Sequence, residues 1–137
     1  MNICISLCTK APYKSLGCWR DTDDRAIPVI DGTDARITDD YNQRSDAINK
    51  CYAVAKDQGM KIFALQAGGG CFASTDLTGY KKYGRASNCR DGKGDGWAND
   101  VYLIISSAGD ESSTLFLQIY RGFFERFLIL GYSAKAK

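Results

Sequence analysis

Ser45-Asp46-Ala47-Ile48-Asn49-Lys50-Cys51-Tyr52-Ala53-Val54-Ala55-Lys56-Asp57-Gln58-Gly59 is followed at once by Met60-Lys61-Ile62-Phe63-Ala64-Leu65-Gln66. Across this stretch the apolar pattern changes from helical to extended. Ala47, Ile48, Cys51, Tyr52, Val54 and Ala55 recur at the i, i+3, i+4 and i+7 spacing of one helix face, which predicts a helix over 45–58. Ser45 is read as its N-cap, because a serine hydroxyl accepts a bond from an orphan amide of the first turn. Asp46 stands where the helix dipole favours negative charge. Gly59 is the left-handed stop. Cys51 falls on the apolar face, toward whatever sheet the helix covers.

Lys61 to Gln66 reads as a central strand. Gly68-Gly69-Gly70 then allows a sharp turn or a close backbone approach. It is no phosphate loop, since no Gly-Lys-Ser/Thr follows. Cys71-Phe72-Ala73-Ser74 reads as a short strand, 75–99 as a long polar loop and Val101 to Ser106 as a closing strand. On the N-terminal side, Ser15 to Arg20 reads as a first strand, with Trp19 in the core beside Cys18. Asp21 to Arg25 is a polar turn. Ala26 to Ile30 contains Pro28, so it suits an edge strand or an extended loop. Asp31-Gly32-Thr33-Asp34 is a turn. The order of elements places the chain in the α+β class.

Two ends flank this unit: an irregular arm over 1–12 and an apolar extension over 107–137. Leu115, Phe116, Ile119, Tyr120, Phe123, Phe124, Phe127, Leu128 and Leu130 fit a helical face, and a hairpin turning at Arg121-Gly122 is the competing reading. Arg121, Glu125 and Arg126 interrupt the run, so it is not read as a membrane span. Met1 to Cys8 is too short and lacks the basic start of a signal peptide, so none is visible in this chain.

The 137 residues suit one main domain. Eighteen basic against sixteen acidic residues give a net charge of +2, which argues against a nucleic-acid partner. Histidine is absent. That excludes Ser-His-Asp, Cys-His and histidine–zinc chemistry within one chain. Asp23-Asp24 and Asp39-Asp40 are acidic turns rather than carboxylates placed across a cleft, and the chain is read as no enzyme. The six cysteines, Cys4, Cys8, Cys18, Cys51, Cys71 and Cys89, form no CxxC pair. They suit a disulfide framework, with buried free thiols as the other reading.

The 75–100 region carries the candidate site. Aromatic faces beside amide, carboxylate and guanidinium groups suit sugar, whose CH groups stack on a ring while polar side chains take the hydroxyls. Tyr83, Arg85, Trp97, Asn99 and Asp100 are the candidate ligand contacts; the alternative is that these aromatics pin the loop to the core. Asp91 to Asp100 invites a calcium reading. The EF-hand pattern fails, because Lys93 and Tyr102 occupy positions that need oxygen ligands. A looser calcium loop through Asp91, Asp95, Asn99 and Asp100 stays open, beside a plain glycine-rich turn.

Leu16-Gly17-Cys18-Trp19-Arg20-Asp21 with Arg25-Ala26-Ile27, the helix bearing Cys51, and Phe63-Ala64-Leu65-Gln66 leading to Cys71 resemble the pattern of WSC-type modules. The likeness spans about 13–105, and Trp97-Ala98-Asn99-Asp100-Val101-Tyr102 resembles the close of a repeat found in extracellular proteins of cnidarians and other marine invertebrates. WSC modules also carry a second helix cysteine and a Cys-x-Cys pair, where this chain has Val54 or Ala55 and Phe72-Ala73. The resemblance implies a WSC-like module over 13–106, with PAN/apple-like architecture. In it a helix packs on a small antiparallel sheet stapled by Cys51–Cys71 and Cys18–Cys89, with Cys4–Cys8 as a local pair. It also implies an extracellular, secreted setting and adhesion to a glycan or an extracellular protein. The alternative class is a structural or self-assembling matrix protein that forms homo-oligomers through the apolar tail. A membrane-active protein using the same tail is a third.

Overall fold

A computed structural model describes residues 11–105. The apolar C-terminal stretch and the Cys4–Cys8 pair lie outside the described residues. The fold is α+β, as expected from the order of elements. One helix, α1 (Ala47–Asp57), packs on a four-stranded antiparallel sheet. The strands are β1 (Tyr13–Arg20), β2 (Ile62–Gln66), β3 (Gly70–Ser74) and β6 (Ala98–Ile104), in the order β1-β6-β2-β3. A separate ribbon pairs β4 (Cys89–Arg90) with β5 (Lys93–Gly94).

Both faces of the sheet are covered, so β2 is buried at every position. That is why its sequence is a continuous apolar run rather than an alternating one. On one face α1 lays Cys51, Val54 and Ala55 against Phe63, Leu65, Cys71 and Tyr102. On the other, loop residues Ile27 and Tyr80 join Trp19, Ile62, Ala64, Phe72 and Val101. Trp19 is in the core as expected, edge-on to Tyr80 with 5.0 Å between ring centres. The chain at 28–30 lies along the outer edge of β3. Ala73 N–H donates to the Pro28 carbonyl, Ile30 N–H donates to that of Cys71, and Pro28 has no amide to waste there.

The helix starts two residues later than its periodicity suggests. Asp46, not Ser45, is the N-cap; it is left-handed (φ 52°) and makes no side-chain capping bond, its carboxylate instead accepting from the Asn49 amide. The stop is as read, with Gly59 at φ 73°. Cys51–Cys71 staples the helix to β3, and Cys18–Cys89 ties β1 to the ribbon. Both are the pairs implied by the WSC resemblance.

The region read as one long loop holds more order than that. Asp91 and Gly92 have φ of 51° and 75°, the paired left-handed conformation of a two-residue hairpin turn between β4 and β5. Beyond the sheet edge, Arg44 is a buried ionic hub. Its guanidinium donates to Asp31 and Asp39 carboxylates at 2.6 Å each and to the carbonyls of Gly69 and Asp39. Arg44→Ala leaves the buried Gly69 carbonyl unmet and is expected to cost about 2 kcal/mol in urea unfolding.

Candidate functional site

The last residues of β1 lie between two flanking segments. On one side, residues 84–86 run along the free edge of the strand: Arg20 N–H donates to the Gly84 carbonyl, Ala86 N–H donates to that of Cys18, and Arg85 bridges Trp19. On the other, the turn before β6 is held by Asp21 N–H donating to the Trp97 carbonyl at 2.9 Å. Between these flanks is an open groove of about 460 Å³, bounded by residues 85–88, by Gly96 and Trp97, and by Arg20 and Asp21.

Trp97 is the unusual residue of this groove. It is 56% exposed and adopts φ 58°, a left-handed backbone in which a bulky side chain is an outlier. The Arg25 guanidinium lies 4.9 Å from the ring centre. Arg25 in turn donates to the Asp21 carboxylate (2.8 Å) and the Gln66 amide oxygen (2.9 Å) and sits over Phe72. The fully buried Asp21 carboxylate also accepts from Ala26 N–H. Asp21 is therefore neutralised from within, and through Arg25 it steadies the indole.

The Arg85 guanidinium lies over Trp19, 4.1 Å from the ring centre. Gly17 makes room for it: β1 is bulged there, φ is 93°, and a Cβ would overlap the Arg85 guanidinium. The glycine before Cys18 is thus needed for both the bulge and the arginine. Arg20 is positioned by its Nε, which donates to the Arg85 carbonyl at 3.0 Å. Among the described residues neither Arg20 nor Arg85 forms an ion pair.

Of the five residues expected from sequence, Arg85 and Trp97 line the groove. Tyr83 does not; its hydroxyl donates to the Asp24 carbonyl at 2.6 Å, which holds its loop to exposed Asp24 in the 21–25 turn rather than to the core. Asn99 is 1% exposed, in register with Trp19, and its carboxamide has no hydrogen-bond partner within the described chain. Asp100 alternates to the opposite face, the one that carries Tyr102. Arg20, Asp21, Asn88 and the supporting Arg25 join the site without having been singled out. Gly17-Cys18-Trp19-Arg20-Asp21 was legible as a motif, but nothing in one dimension ties it to 85–97.

The acidic loop does not gather into a cation site. Asp91 and Asp95 line a second hollow of about 210 Å³ together with Arg90 and Lys93, whose charges oppose a divalent ion, while Asn99 and Asp100 are elsewhere. Among the described residues no group of three carboxylate, thiol or imidazole side chains converges.

Burial pushes the Asp100 carboxyl above the ordinary carboxylate range, partly offset by the Tyr102 hydroxyl. Asp24, Asp34, Asp39 and Asp76 are held below it by hydrogen bonds from Lys82, Arg36, Arg44 and Thr78 in turn. A raised carboxyl adds stability as pH falls through its folded value; lowered ones lose theirs only below the unfolded value of about 3.9. Stability is expected to rise on acidification from neutral toward about pH 4 and to fall below it. Asp100→Asn should remove the rise and keep the fall, read from urea midpoints at a series of pH values.

No protein-family model matches this chain, and a search of curated proteins finds no match to it. Among the described residues no helix is long and apolar enough to cross a membrane.

Proposed function

We propose that this chain is a non-catalytic, extracellular carbohydrate-binding module whose ligand lies in the groove beside Trp97. The observation that carries this reading is Trp97 itself: a large indole kept half in solvent, on a backbone conformation that glycine would adopt more easily, and buttressed by Arg25. Strain held in place by surrounding structure gathers at functional sites. The groove adds the polar groups a sugar needs, since Arg20, Arg85, Ser87 and Asn88 line it together with Trp97. The two disulfides favour an oxidising compartment. The WSC-like pattern of residues and the pairing of its cysteines support the same reading.

The test is a glycan array on the oxidised protein, with calcium and again in chelator, followed by titration of the best ligand. Trp97→Ala is expected to weaken binding about 30-fold or more, the size of a stacking hot spot. It should change stability by no more than about 1 kcal/mol, because only an exposed cation–π contact is lost. A folded Trp97→Ala protein that binds like the parent would sink the assignment.

A further inference from the structure

Within that reading, we infer that the groove selects anionic glycans, with Arg20 and Arg85 taking a carboxylate or sulfate while Trp97 stacks on the sugar ring.

Of the ionised groups bounding the groove, Asp21 is buried and already matched by Arg25 and the Ala26 amide. Asp95 lines the neighbouring hollow instead, and its carboxylate accepts from Gly96 N–H at 2.8 Å. Arg20 and Arg85 remain, two guanidinium groups on one groove with no carboxylate partner among the described residues. Of the other described arginines, Arg25, Arg36 and Arg44 have aspartates, while Arg90 on the neighbouring hollow, like Arg20 and Arg85, has none among the described residues.

Both groups are also held in place. Arg20 is tethered through Nε, which leaves its two terminal nitrogens for a ligand. Arg85 is held against Trp19 beside the bulge at Gly17, and among the described residues no carboxylate takes its donors. Planar forks ordered before binding lose little entropy on it, and they match the paired oxygens of carboxylate and sulfate. Both arginines are exposed, and a neutral sugar would displace water from them without supplying a counter-charge, which is discrimination against it.

The test uses calorimetric titration of the intact oxidised protein at fixed moderate salt. The probes are a chondroitin sulfate hexasaccharide, its desulfated form, its methyl-esterified form, and the form with both charges removed. The expected result is about tenfold tighter binding of the fully charged sugar than of the uncharged one. The singly capped forms show whether sulfate or carboxylate is read. Arg20→Gln and Arg85→Gln should each weaken the charged sugar about tenfold more than they weaken the uncharged one. Arg90→Gln, on the neighbouring hollow, should leave both unchanged, and thermal melts establish that each variant is folded. Equal affinity for charged and uncharged sugars overturns the inference and leaves the carbohydrate reading standing. Failure of these probes to bind folded protein, with neutral glycans bound on the array, overturns the inference alone; failure on the array as well overturns both. Binding of a glutamate-rich peptide through the same arginines, at the affinity of the charged sugar, also overturns it, because the groove would then read acidic protein.

Discussion

Replacing Cys18 and Cys89 together with serine is expected to destabilise the fold by about 4 kcal/mol and to abolish the ligand binding proposed for the groove. The bond spans 71 residues, and closing so long a loop removes much entropy from the unfolded chain. The Cys51–Cys71 bond spans only 20, for which the same argument gives about 3 kcal/mol. The two staples also differ in what they hold. Cys51–Cys71 fixes the helix to β3, on the face away from Trp19. Cys18–Cys89 anchors the ribbon next to Asn88, and with it the flank that carries Arg85. The double serine variant should keep the helix signal in circular dichroism, unfold at lower urea and fail to bind. Binding at parental affinity would show that residues 84–88 hold their place through the β1 edge bonds alone.

Gly94→Ala is expected to cost about 3 kcal/mol or more, the upper end for forcing atoms into a packed site. Gly94 lies where β5 crosses close to the start of β6. A Cβ there would overlap the backbone of Ala98 and approach the Leu65 carbonyl at 2.9 Å. Backbone cannot rotate away as a flexible side chain can, so relief requires β5 to lift from the sheet. Gly96, two residues on, has open space around its Cβ position. Gly96→Ala is therefore the matched control, and chemical denaturation of the pair isolates the close approach. Equal stabilities would remove the claim that the ribbon is seated on β6 by Gly94.

Much of the architecture was readable because periodicity and punctuation are local. The apolar face through Ala47, Cys51, Val54 and Ala55 and the stop at Gly59 mark the helix, and the apolar run Ile62–Leu65 marks the central strand. The N-cap was misplaced because Ser45 has the right chemistry but the chain reaches the helix through a left-handed Asp46. The β4–β5 ribbon was missed because two residue pairs carry no alternation; its signal was Asp91-Gly92, lost in a run of glycines. Of the candidate site, Arg85 and Trp97 were legible as polar-loop residues with aromatic and cationic chemistry. Asn99 and Asp100 were legible as polar too, but adjacent strand residues face opposite ways, and neither faces the groove.

By itself, then, the sequence determined the α+β class, the helix–strand succession and the exclusion of histidine-based catalysis, since these follow from residue type and near-neighbour spacing. Its likeness to WSC modules pointed to the two disulfide pairs. Only the tertiary structure decided the site. Arg20 and Arg85 are 65 positions apart, and Asp21 and Trp97 are 76 apart. They meet because β1 pairs with β6 on one side and with residues 84–86 on the other. Which aspartates neutralise which arginines was decided there as well, for charge balance at a groove depends on through-space neighbours that no local pattern records.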